Sequence, residues 1–149
     1  MGNINKTYLV SVLKNKCPRC REGHIYETSS AYKYGKIVKM NEVCPVCKQP
    51  TEIEVGFYYG TGYVSYALSV GFSVATFVAW WVIIGLSLDD NRFFWWMGTN
   101  AVAMLAMQPL FMRLSRTMWL SWFVSYDKNW KENPLEEPER VVPGQEHNW

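Results

Sequence analysis

Residues Val55–Leu88, VGFYYGTGYVSYALSVGFSVATFVAWWVIIGLSL, run for 34 positions without a charged side chain. A hydrocarbon core about 30 Å thick needs roughly 20 helical residues, so this run holds one transmembrane helix, expected over residues 62–86. A second uncharged run, Phe93–Met112, is 20 residues long and fits a second span over 93–112. Leu88-Asp89-Asp90-Asn91-Arg92 lies between them and leaves room only for a tight helical hairpin. Asp90 or Asn91 is placed to cap the second helix through its side chain. Phe93, Phe94, Trp95 and Trp96 follow as an interfacial aromatic belt, matched by Tyr58, Tyr59, Tyr63 and Tyr66 at the other end.

Outward from these runs the composition changes. The chain has 149 residues, 49% of them apolar, and a mean hydropathy of −0.13. That average hides a partition: residues 55–126 hold five charges in 72 positions, and the other 77 positions hold 23. Six of the eight Trp lie in the charge-poor block. Such a partition excludes a single soluble globule, a collagen-like chain and a wholly disordered one. A net charge of +2 gives no argument for nucleic acid.

Lys and Arg number nine in residues 1–54, one in the hairpin turn and five in 113–149. Cytoplasmic flanks retain positive residues, so both termini are expected in the cytoplasm. Residues 1–14 carry no secretory signal, since Ile4, Tyr8, Leu9, Val10, Val12 and Leu13 are interrupted by polar residues; they suit a short amphipathic helix. Residues 127–149, with three prolines, six acids and three bases, read as a flexible polar tail that is solvated or orders on a partner.

Within the first span, Ala67, Gly71, Ala75 and Ala79 recur every four residues and form a stripe of small side chains. Such a stripe lets another helix approach closely, either the second span or a partner subunit. Asn100 and Gln108 fall roughly on one side of the second span and are expected to form interhelical hydrogen bonds. Pro109 should loosen that helix near its cytoplasmic end. Beyond Met112, Arg113 and Arg116 are expected to reach lipid headgroups, with Trp119 held in the interface.

The most specific motif is Cys17-Pro18-Arg19-Cys20 followed, 23 residues on, by Cys44-Pro45-Val46-Cys47. Two Cys separated by two residues aim both sulfurs at one point, and two such knuckles supply four thiolates in a tetrahedron. Cys17, Cys20, Cys44 and Cys47 are therefore read as ligands of structural Zn²⁺. Iron in a rubredoxin-like electron carrier, a pair of redox dithiols and copper handling by one knuckle remain open alternatives. Residues 23–27 and 51–55 alternate polar and apolar, so each knuckle should lead into a short strand of a zinc ribbon over 15–56.

The spans hold no His, Lys, Asp or Glu away from their ends, which excludes His-ligated haem within the membrane. Met97, Met104, Met107 and Met112 read as helix-packing residues in preference to a copper path. No Ser-His-Asp set, phosphate-binding glycine loop or paired-carboxylate site is present, and a closed four-thiolate site has no open coordination position. The expectation is a non-enzymatic protein. The nine bases and five acids of residues 1–54 leave nucleic-acid or nascent-chain binding as a further alternative, although no nucleic-acid partner is expected.

The two knuckles followed by Glu52-Ile53-Glu54-Val55-Gly56-Phe57-Tyr58-Tyr59-Gly60 and Tyr63-Val64-Ser65-Tyr66-Ala67-Leu68 resemble a family of small bacterial membrane proteins known as domain of unknown function 983. The likeness covers most of residues 14–125, including Arg113, Arg116 and Trp119, and leaves out the tail. It implies an N-terminal four-cysteine zinc ribbon and a two-helix hairpin over 57–126 in the bacterial inner membrane. Some relatives are encoded beside haem–copper oxidase genes, which implies an accessory role in assembling a respiratory complex such as a cytochrome oxidase.

Overall fold

A computed structural model describes residues 7–33, 35–54, 56–85 and 91–135. The first six residues, the Leu88–Asp90 part of the expected hairpin turn and the tail from 136 onward lie outside the described residues. The described part is mostly helical: α1 spans Tyr8–Leu13, α2 Thr61–Ile84 and α3 Arg92–Phe123, with a single 3-10 turn at Phe57–Gly60 leading into α2.

Helix α2 forms where no charge interrupts the apolar run, and its 24 residues make a rod about 36 Å long. With the preceding turn it is the one helix among the described residues apolar and long enough to cross a membrane, Phe57–Ile84, and its most apolar window is unburied. Gly85, at φ +79°, ends it in a conformation that costs glycine little. Arg92 Nη1 donates to Ile84 O at 3.1 Å, placing a cation on the free carbonyls of the α2 C-terminus. Asn91 occupies the N-cap position of α3, but its side chain makes no capping bond; its carbonyl accepts from Trp95 N. The expected side-chain cap at Asn91 is thus absent.

The two long helices are antiparallel. Phe72 meets Phe111 edge to face at 5.6 Å, and Phe77 meets Trp96 at 5.0 Å. Between these pairs Asn100 Nδ2 donates to Ser73 Oγ at 3.0 Å and its Oδ1 accepts from Thr76 Oγ1 at 2.9 Å. Both ends of a half-buried amide are therefore satisfied across the helix pair, as an apolar surrounding requires. Gln108 points outward and is exposed.

Helix α3 does not stop where the apolar run does. It continues through Pro109 and on to Phe123. Residues 113–123, expected as a segment lying in the lipid interface, instead carry α3 into the cysteine-rich module. Arg113, Ser115, Thr117 and Leu120 on this stretch are buried, as is Phe111 just before it. The core joins all four Cys to Ile25, Tyr26, Phe57, Leu120 and Val124. Gly60 lies against the Trp119 ring so closely that a Cβ there would stand 2.2 Å from it, and Trp119 Nε1 donates to Phe57 O at 2.8 Å.

The expected strands do not form among the described residues. They appear only as isolated bridges: Lys16 with His24, Tyr26 with Met40, and Val43 with Pro50. The reason lies in α3. Carbonyls of the 28–38 loop, which joins Tyr26 to Met40, accept from arginines of α3 and so do not extend the Tyr26–Met40 bridge into a ladder.

Candidate metal centre

Each knuckle is built the same way. A bridge closes its base, at Lys16–His24 and at Val43–Pro50. Cys17 N donates to Gly23 O, and Cys44 N donates to Gln49 O, both at 2.8 Å. Arg21 N returns to Cys17 O, and Lys48 N to Cys44 O. Arg21 and Lys48, each directly after its second Cys, take positive φ of 57° and 61°. This left-handed residue turns the chain back so that N–H groups face sulfur: Cys20 and Gly23 donate to Cys17 and Cys20, while Cys47 and Gln49 donate to Cys44 and Cys47.

The four sulfurs lie within 4.8 Å of one another and all four residues are buried. Cys17 and Cys47 Sγ are 3.6 Å apart, and Cys20 and Cys44 Sγ 3.8 Å. A tetrahedral metal with bonds to sulfur of about 2.3 Å needs edges of about 3.8 Å, so the donor set fits one divalent ion. The spacings are far too long for disulfides. Hydrogen bonding within the cluster, chiefly with Cys17, holds Cys20 and Cys44 below the ordinary thiol range. Cys17 is pushed above it, chiefly by its bond with Cys20. A bound cation displaces such shared protons and replaces them as the link between the two knuckles. His24 is exposed and does not belong to the cluster.

Around this centre the structure uses residues whose roles the sequence did not reveal. Arg113 was expected among headgroups, but its side chain points into the module and is 2% exposed. Its Nε donates to Ile37 O at 2.6 Å, Nη1 to Thr28 O at 2.8 Å, and Nη2 to Thr28 Oγ1 at 2.8 Å. The guanidinium lies 4.7 Å from the Tyr26 ring, and Tyr26 Oη donates to Arg113 O at 2.8 Å. Burial pushes the Tyr26 phenol up to about 12, so it stays a donor at neutral pH. Arg116 donates to Val38 O at 3.1 Å and stacks on Tyr58 at 5.1 Å. Thr117 Oγ1 donates to Asn15 Oδ1, just before the first knuckle.

Arg19, the variable residue of the first knuckle, binds the far end of the chain. Its Nη2 donates to Asn133 O and Pro134 O at 3.0 and 2.8 Å, and Asp127 stands 3.7 Å away. Asp127 N in turn donates to Arg19 O, and Arg21 lies over Tyr126 at 4.1 Å. The start of the expected free tail is therefore strapped to the metal centre. The signal for this was weak, because the partners are more than 100 residues apart.

The small-residue stripe is not used between the helices. Ala67, Gly71, Ala75 and Ala79 are exposed. The first three line an open apolar groove of about 690 Å³ with Met118, Trp119 and Trp122. Packing of this stripe on the second helix is thus corrected: Phe72, Ser73, Thr76 and Phe77 form that contact.

No protein-family model, curated protein or solved structure matches the chain.

Proposed function

We propose that this chain is a non-enzymatic accessory protein of the bacterial inner membrane. In this reading Cys17, Cys20, Cys44 and Cys47 hold a structural Zn²⁺, and α2 with residues 93–112 of α3 forms a two-span hairpin. Both termini face the cytoplasm, and the assembly docks on a larger membrane complex. A haem–copper oxidase is the partner favoured by the resemblance to the domain of unknown function 983.

One observation carries the reading. A single helix, α3, packs against the unburied apolar α2 through Asn100 at one end and forms part of the cysteine-centred core through Leu120 at the other. The apolar face of α2 needs lipid or a partner helix, and the metal module cannot move independently of it. Four thiolates fill a tetrahedron, so a Zn²⁺ held there shapes the module and has no open position for a substrate.

Purification in mild detergent, with metal analysis and identification of co-purifying proteins, tests this. Zinc and a recurrent membrane complex are expected, with both lost in Cys17→Ser. A red, iron-containing protein would replace the reading with a rubredoxin-like electron carrier. Complex assembly unaffected by Cys17→Ser would remove the module from the function.

A further inference from the structure

A groove of about 410 Å³ lies where the module meets the hairpin, between the first turn of α2 and the turn of α3 that follows Met112. Its walls are chemically divided. Ile37, Val38 and Met112 give it an apolar side, and Ser65 and Arg116 give it a polar one. Gly62 forms part of the rim and has open space where a Cβ would stand.

Arg116 is fixed in place before any ligand arrives. Nη1 donates to Val38 O and the plane stacks on Tyr58, and among the described residues Nη2 and Nε remain to meet an anion. Thr61 and Ser115 also line the groove, but their hydroxyls donate to Tyr58 O and Met112 O. Among the described residues, the side-chain donors available to a ligand are therefore Arg116 and Ser65.

A second observation strengthens the positive field here. Arg113, one helical turn away, is buried, donates to carbonyls and a hydroxyl and lies over the Tyr26 ring; among the described residues no carboxylate pairs with it. Its charge is balanced by dipoles and not cancelled, in a place where water screens it poorly.

We propose that this groove binds the phosphodiester of an anionic membrane lipid. Arg116 takes the phosphate oxygens in a forked contact, Ser65 donates to the headgroup, and Ile37, Val38 and Met112 cover the glycerol and the first carbons of the chains. The proposal rests on the membrane reading of α2. It explains why a ligand that is anionic at one end and apolar at the other suits a groove at this depth.

Native mass spectrometry of the detergent-purified protein with added phosphatidylglycerol, phosphatidylcholine or inorganic phosphate tests it. Phosphatidylglycerol should be retained in preference to phosphatidylcholine. Arg116→Gln, and separately Ser65→Leu, which fills the groove, should each weaken retention by about tenfold or more, the loss expected for a charge-assisted contact. Arg92→Gln, at the opposite end of the hairpin, should leave retention unchanged. Bound-metal content identifies any variant whose module has unfolded, and two independent variants keep the test decisive. Retention equal to wild type in both variants would overturn the proposal. So would displacement of the lipid by millimolar phosphate, which would mean a soluble anion is the ligand. Flotation with liposomes reads the membrane assignment separately: a chain that floats but retains no lipid defeats only the lipid site.

Discussion

The two knuckles share a spacing, a proline and a backbone turn, yet one is enclosed and the other bare. Cys17, Pro18, Arg19 and Cys20 are all buried, whereas Pro45 and Val46 of the second knuckle are exposed. The metal geometry is a local matter, repeated almost residue for residue. Enclosure is a distant one, decided by the third residue of each motif. Arg19 recruits residues 127–134, and Val46 recruits nothing comparable from the described part of the tail.

The strongest test of this comparison is one in which the two knuckles should behave alike. Cys17→Ser and Cys44→Ser should each abolish stable metal binding and unfold the module, because structural zinc contributes on the order of 10 kcal/mol of folding free energy in small domains. Metal content and Trp fluorescence measure this. A module that kept its fold in only one of the two variants would show that the knuckles are not equivalent.

Next in size is the residue that ties the loop between the knuckles to α3. Arg113→Met should destabilise the module by about 2–5 kcal/mol, since it strands the carbonyls of Thr28 and Ile37 at roughly 1–3 kcal/mol each. Arg113→Lys should recover only part of this, because an ammonium lacks the guanidinium fork. Equilibrium unfolding in detergent gives the values, and an unchanged midpoint would place Arg113 outside the core.

The knuckles should then part company. Arg19→Ala removes a buried, charge-assisted contact and should cost about 2 kcal/mol, with faster loss of metal to a chelator as residues 127–134 detach. Val46→Ala, at an exposed tip, should change stability by less than about 0.5 kcal/mol. Equal chelation rates in the two variants would erase the distinction drawn between the knuckles.

What could be read in the chain follows the range of the interactions. Helix α2 at Thr61–Ile84 lies within two residues of the span expected at 62–86, because an uncharged run of that length is a property of neighbouring residues. The four Cys come together because each CxxC is a local turn. Asn100 could be read as an interhelical group because an amide in an apolar helix needs a partner. Arg113 could not be placed, since an arginine at the end of an apolar run suits headgroups as well as buried carbonyls. The choice depended on the 28–38 loop, over 70 residues away. The small-residue stripe could be read only in part, for a related reason. Four-residue spacing names a face but not its neighbour, and the aromatic and hydroxyl face of α2 proved the better fit for α3.

Elemental analysis of the full chain, freshly purified in mild detergent, tests the central claim most directly. The account predicts a single zinc ion per chain, held by Cys17, Cys20, Cys44 and Cys47, and lost together with the folded module in Cys44→Ser. Protein that folds stably with no metal, or with iron in place of zinc, would contradict it.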